Sequence, residues 1–140
     1  VKAEVALDAL DKAAVLSGKR VVYPRCINGK EMVALLPNSK DEWEKSHFGT
    51  LEPVMNTAKL IEPAEIDLVL CPCSAFDSNC SRLGMGAGYY DRYLPVCKNA
   101  RIAAVAFEAQ RAEEVCTEIW DLKMQAVFTE SATYRCGDIT

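Results

Sequence analysis

An α/β fold, with a mainly parallel sheet flanked by helices, is predicted by three features of the sequence. Residues 66–71 and 101–107 are apolar runs, the first interrupted only by Asp67, of the kind that forms strands buried on both faces. Between them lie a glycine-rich loop and a short helical stretch, long enough for the crossover that parallel strands require. Further helical and strand patterns lie on either side, so the two element types alternate. With 140 residues, half of them apolar, and no repeat or linker composition, residues 1–140 read as a single domain with one core.

The first element is a helix. Ala6, Leu7, Leu10, Ala13 and Ala14 recur at helical spacing against Asp8, Asp11 and Lys12, and Gly18 stands where a C-terminal cap belongs. Residues 20–23 follow as a strand ended by Pro24, and 31–36 as a second strand ended by Pro37. Asn28-Gly29 between them tolerates positive φ, which predicts a hairpin. From 38 to 64 the chain is polar, contains Pro53 and Pro63, and reads as loop apart from a short helix near 40–45. The crossover helix runs through Tyr89, Tyr93 and Leu94 and is stopped by Pro95; residues 110–116 suggest another helix and 126–129 another strand.

Sixteen Lys and Arg against 20 Asp and Glu leave a net charge of −4, which offers no general attraction for nucleic acid or an anionic membrane. The longest uncharged apolar stretch, 68–76, falls far below the roughly 20 residues of a membrane-spanning helix. Glu4, Asp8 and Asp11 stand where a secretory signal would carry basic and apolar residues. A cytoplasmic location is therefore expected, and with it reduced thiols for the seven cysteines. Cys71-Pro72-Cys73 with Cys80 lacks a fourth zinc ligand, and the single histidine, His47, sits in a polar setting that suits a loop better than a general base. The first residue is Val1, which suggests a processed or shortened form of a longer product.

Chemistry is concentrated in FDSNCSRLGMGAGYYDRYL, residues 76–94. Gly84, Gly86 and Gly88 let backbone N–H groups approach phosphate oxygens between a strand and a helix. Arg82 adds a charge-assisted contact, and Asp91 is placed to hold a magnesium ion, which takes one or two carboxylates and keeps several waters. The spacing is neither that of a dinucleotide-binding loop nor that of a Walker loop. A tight surface turn, an ordinary Arg82–Asp91 ion pair and half-buried Tyr89, Tyr90 and Tyr93 fit the same pattern.

The run RLGMGAGYYDRYL, preceded by DLVLCPCSAFD and followed by AAVAFEAQ, resembles the signature of the 5-formyltetrahydrofolate cyclo-ligase (5,10-methenyltetrahydrofolate synthetase) family. EVALDAL, GKRVVYPRC, EMVALL, FGTLEP and TEIWDLKMQAVFTE resemble further family segments in the same order. The resemblance implies an α/β fold of the type shared with sugar-phosphate isomerases and CoA transferases (NagB/RpiA-like). It also implies ATP- and Mg-dependent conversion of 5-formyltetrahydrofolate to 5,10-methenyltetrahydrofolate in one-carbon metabolism, with release of ADP and phosphate. Arg82, Gly84, Gly86, Gly88 and Tyr90 match the ATP-binding loop, Arg82 and Tyr90 being the expected catalytic residues, and Asp91 matches the magnesium carboxylate. Glu4, Met32, Phe48 and Tyr89 match folate-contacting positions, Glu4 as a partner for the pterin ring.

Departures from the family pattern are as specific. A basic residue often found between the second and third glycines is Ala87, the position between the first two is Met85, a glycine expected before the arginine is Cys80, and a second acidic metal contact is Gln125. By family length, an N-terminal helix and a basic ATP-contacting segment are missing. The expectation is a cyclo-ligase acting on a small-molecule folate, impaired in this short chain and prone to self-association through an exposed edge. The alternatives are a non-catalytic nucleotide- or folate-binding domain and a cyclo-ligase-like protein with another substrate.

Overall fold

A computed structural model describes residues 5–38, 43–45, 51–118 and 121–137. Helix α1 is Asp8–Leu16, with Asp8 and Asp11 in its first turn, where carboxylates oppose the positive end of the helix. Gly18, at φ +84°, ends it by donating its N–H to the Val15 carbonyl, 3.0 Å away. No residue of α1 is buried, and Leu16 is 87% exposed. The Tyr23 hydroxyl hydrogen-bonds Asp11 and ties the helix to the next strand.

Strands β1 (Tyr23–Cys26) and β2 (Met32–Leu36) form the expected antiparallel hairpin, and β5 (Lys59–Ile61) extends it to the order β1-β2-β5. The first strand is displaced from its expected position at 20–23 and runs through Pro24. As an edge strand, β1 has one side free of pairing, where a missing N–H costs no ladder bond. Between β2 and β5 stand β3 (Trp43–Lys45) and β4 (Leu51–Pro53), paired antiparallel. The polar stretch expected as loop thus carries three strands, and residues 43–45 of the expected helix are one of them. Side chains hold this pair to the hairpin: Trp43 stands edge-on to Tyr23, the Arg25 guanidinium donates to the Pro53 carbonyl at 2.8 Å, and the Cys26 N–H donates to Glu52 at 3.1 Å.

The second sheet is built on β6 (Leu68–Cys71). After the β7 (Ala75–Phe76) and β8 (Arg82–Leu83) hairpin and helix α2 (Tyr89–Tyr93) come β9 (Arg101–Val105), β10 (Ala126–Phe128) and β11 (Thr133–Arg135), in the order β11-β10-β9-β6. The junctions β6–β9 and β9–β10 are parallel, as expected for these runs. β11, which sequence periodicity does not reveal, adds antiparallel to β10, and the hairpins elsewhere are antiparallel too. Two of the three junctions of this sheet are thus parallel, an isolated bridge between Phe76 and Arg111 is parallel as well, and the other paired strands among the described residues are antiparallel. Ala103, Ala104 and Ala126 on the parallel strands are fully buried, and Cys71, Phe76, Leu94, Met124 and Val127 pack in the adjoining core.

Two further expectations are corrected. In place of a helix at 110–116 there is one 3₁₀ turn, Glu108–Gln110, followed by irregular chain. Its N–H groups are taken by tertiary acceptors: Ala112 donates to the Phe76 carbonyl at 2.7 Å and Val115 to the Asp77 carboxylate at 2.9 Å. Cys80 and Cys136 are joined in a disulfide, which overturns the reduced-thiol expectation for both; the turn after β7 and the end of β11 bring their Cα atoms to 6.2 Å. Cys71 and Cys73 are free and buried. Burial pushes the Cys71 thiol up to about 12 and raises Cys73 as well. Among the described residues there is no cluster of three His, Cys, Asp or Glu side chains fit for a metal, and no helix long and apolar enough to cross a membrane.

Candidate functional site

Arg82 is positioned by the β7–β8 hairpin, in which it pairs with Phe76. The turn between them is cinched by Asp77, a side chain that sequence reading left without a role. Its Oδ1 accepts the N–H groups of Asn79 (3.0 Å) and Ser81 (3.1 Å), and its Oδ2 accepts that of Val115 (2.9 Å). Burial by itself raises the Asp77 carboxyl, but these three donors outweigh it and hold the group below its ordinary 3.8. The signal in the sequence is Asp-Ser-Asn directly after a strand, the composition of an Asx turn. Cys80 completes the turn at φ +63°, a left-handed conformation that glycine adopts without strain, which accounts for the glycine expected there.

The Arg82 side chain is only 4% exposed. Its Nε donates to the Pro72 carbonyl at 2.7 Å, just past the C-terminal end of β6, and its Nη1 lies 3.2 Å from Asp91 Oδ1. The guanidinium stands 5.4 Å from the centre of the Tyr90 ring. Arg82, Tyr90 and Asp91 are thus one cluster, and the expected phosphate cation and magnesium carboxylate form an ion pair. Gly84 faces it: a Cβ there would stand 3.7 Å from both Nη atoms and 3.5 Å from Asp91 Oδ2. The space a side chain would fill is where both charged groups are reached. One exposed carboxylate beside a backbone loop suits magnesium held chiefly by phosphate oxygens and water.

The loop continues through Gly86 at φ +103° and Gly88 at φ +74°, the residue that caps α2. Helix α2 has five residues, so its alignment of peptide dipoles is a single turn's worth, less than the sequence pattern implied. Arg92 reaches back over the loop, its Nη2 donating to the Ala87 carbonyl at 2.9 Å and its Nε to the Lys30 carbonyl at 2.6 Å.

On the other side of α2 is a groove of about 440 Å³, lined by Met32 and Ala34 of β2, Ile61 of β5, and Tyr89, Arg92 and Tyr93 of α2. Met32 and Tyr89, two of the expected folate contacts, meet here; Glu4 and Phe48, the other two, lie outside the described residues, as does His47. The Tyr93 hydroxyl is buried with no oxygen or nitrogen partner among the described residues; burial pushes it up to about 12, with the Cys97 thiol beside it. Tyr89 stands near the Cys26 thiol, itself raised by burial and by Glu52. Gln125, where the resemblance implies a second metal carboxylate, has its Oε1 engaged by the Ile102 N–H at 2.7 Å, in the sheet.

Comparison with known proteins gives the family. Residues 1–130 match the 5-formyltetrahydrofolate cyclo-ligase family. The chain is 36% identical over 83 residues to the 5-formyltetrahydrofolate cyclo-ligase of Haemophilus influenzae, covering 58% of this chain and 44% of that protein. It is 28% identical over 122 residues to that of Escherichia coli K12, covering 84% of this chain and 67% of that protein. The chain thus spans about half to two thirds of the length of these relatives. Among solved structures, 5,10-methenyltetrahydrofolate synthetase of Aquifex aeolicus superposes with a TM-score of 0.81 at 30% identity, over 100% of this chain and 70% of that one. The synthetase of Mycoplasma pneumoniae shares the fold, with a TM-score of 0.67 at 23% identity, over 88% of this chain and 63% of that one. With the family match extending over residues 1–130, nearly the whole chain, this chain belongs to the 5-formyltetrahydrofolate cyclo-ligase family.

Proposed function

We propose that this chain carries the site for ATP- and Mg-dependent cyclisation of 5-formyltetrahydrofolate to 5,10-methenyltetrahydrofolate, with nucleotide phosphates at residues 82–91 and the folate in the adjoining groove. The observation that carries this reading is the placement of Tyr89 and Tyr90: consecutive residues of one helical turn, the first lines the groove and the second underlies Arg82. A phosphoryl acceptor in the groove and a phosphoryl donor on the loop would meet across α2. Mg-ATP supplies the phosphoryl group that activates the formyl oxygen. The protein's part is to hold the two ligands in register and to neutralise charge, which is where phosphoryl-transfer enzymes gain most of their rate. In this reading Arg82 and the loop N–H groups would bind the phosphates, Asp91 would hold the metal, Tyr90 would fix the Arg82 guanidinium, and Met32, Tyr89, Glu4 and Phe48 would contact the folate.

The same reading takes residues 1–140 as one α/β domain of the type shared with sugar-phosphate isomerases and CoA transferases. The site at the C-terminal end of β6, a parallel strand, supports it, because that is where open parallel sheets bind ligands. It also places the protein in the cytoplasm, free of nucleic acid, with self-association through the edge strands β6 and β11. A second reading, a binding domain with little turnover, is favoured by the neutral Ala87 in the loop. Losing one strong electrostatic contact in such a site costs about 10²–10³ in rate. Methenyltetrahydrofolate formation, followed by its absorbance with ATP, magnesium and 5-formyltetrahydrofolate, separates the two. Slow folate-dependent turnover is expected from this chain; nucleotide and folate binding without any product supports the second reading, and no binding of either refutes both.

A further inference from the structure

The loop and the groove share one side chain that neither the motif nor the expected ligand contacts single out. Arg92 touches three places at once. Its Nε donates to the carbonyl of Lys30, 62 positions away in the β1–β2 turn, and its Nη2 donates to the carbonyl of Ala87 in the glycine loop. Its guanidinium lies 5.5 Å from the centre of the Tyr89 ring. The strand that follows Lys30 begins at Met32, so the hairpin end held by Arg92 is the one that carries a groove wall. Gly88 is shaped to this arrangement: a Cβ on it would come 2.8 Å from Arg92 Nη1.

We propose that Arg92 is a positioning residue that couples the two ligand sites, locking the glycine loop to the β1–β2 hairpin so that a ligand in the groove tightens binding of a nucleotide on the loop. A planar guanidinium is suited to the task, since its rigid fork reaches two carbonyls at fixed separation while its face lies on an aromatic ring. A lysine carries the same charge on a single nitrogen and cannot span both. When a groove ligand orders Met32 and Tyr89, the Lys30–Arg92–Ala87 clasp is held with them, and the loop gives up less freedom on meeting phosphate.

This inference rests on the reading of loop and groove as nucleotide and folate sites, and the experiment keeps the two apart. ADP binding is measured by calorimetry, with and without saturating 5-formyltetrahydrofolate, for the wild-type chain and for Arg92→Ala, Arg92→Lys and Arg82→Ala. Coupled sites commonly show about a 5-fold or larger change in affinity. The expected result is a 5-fold or greater tightening of ADP by the folate in the wild type. In both Arg92 variants this should fall to about 2-fold or less, at folate concentrations that separate titrations show to saturate each variant. Cooperative thermal unfolding shows that the variants are folded. Undiminished tightening in Arg92→Ala overturns the proposal and leaves the site assignment standing. Full tightening in Arg92→Lys also overturns it, because charge and not the fork would then carry the effect. ADP affinity lost in Arg92→Ala without folate and restored by lysine makes Arg92 a phosphate ligand and overturns its positioning role. ADP binding that Arg82→Ala leaves unchanged refutes the site assignment itself, and the proposal with it.

Discussion

The glycine loop and the groove lie on two sides of one five-residue helix, yet they are assembled in opposite ways. Arg82, Gly84, Gly86, Gly88, Tyr90 and Asp91 are nearly contiguous, and their mutual geometry follows from one hairpin, one loop and one helical turn. The groove draws on residues 30–34, 60–63 and 89–96, segments that meet only because β2 pairs with β5 and α2 packs beside them. The loop is polar, with an ion pair and bare backbone; the groove is walled by Met32, Ala34 and Ile61, which are buried. On the proposed reading, the phosphates are met by a local motif and the folate by tertiary packing. Damage to one side should therefore have a different character from damage to the other.

A reciprocal pair of substitutions tests this most directly. Met32→Ala removes a buried side chain from β2 and should lower stability by about 2–5 kcal/mol while weakening folate binding and leaving ADP affinity within about 2-fold. Arg82→Ala should weaken ADP binding by about 1.5–3 kcal/mol, roughly 10- to 150-fold, with little change for the folate. Chemical denaturation and calorimetry with each ligand give both numbers. Equal losses of the two ligands in either variant would break the division between loop and groove.

Acid should distinguish the loop's support from the groove's. The Asp77 carboxyl is held below its ordinary 3.8 in the folded protein, so its contribution is present above that pH and fades as pH falls from 3.8 through the folded value. Asp77→Asn should cost about 1–3 kcal/mol at pH 7, because donors are left unsatisfied in a buried turn. The deficit relative to wild type should shrink as pH is lowered past 3.8. Urea denaturation across that range measures it; a deficit independent of pH would show that the carboxylate charge is not what closes the turn.

The finest distinction lies between two glycines of the loop. Gly88→Ala places a Cβ at φ +74° and 2.8 Å from Arg92 Nη1, so it should cost about 1–2 kcal/mol in backbone strain and displace the arginine. Gly84→Ala meets only ordinary contacts, at 3.5 Å and beyond, and should leave stability within about 0.5 kcal/mol while filling the gap in front of Arg82 and Asp91. Thermal unfolding with and without ADP separates them. An alanine at 84 that neither destabilises nor impairs ADP binding would remove the loop's first glycine from the phosphate site.

What the sequence determined by itself is whatever depends on neighbours in the chain. Asn28-Gly29 set a hairpin, Gly18 a helix end, the apolar runs 66–71 and 101–107 a parallel pair, and Arg82 to Asp91 a loop with its charges in reach of each other. Each rests on backbone freedom or periodicity over a few residues. The tertiary structure decided the rest, chiefly through hydrogen bonds from distant groups. Residues 112–118 form no helix, and Phe76 and Asp77 take N–H groups of Ala112 and Val115 that a helix would have used. The three-residue strands β3, β4 and β5 are too short to show a period and exist because Arg25, Glu52 and β2 hold them. Cys80 meets Cys136 across 56 positions, and Arg92 meets Lys30 across 62. Such pairs leave no periodic trace, since side chains that reach backbone groups of remote segments are placed by the packing of whole elements and not by the residues beside them.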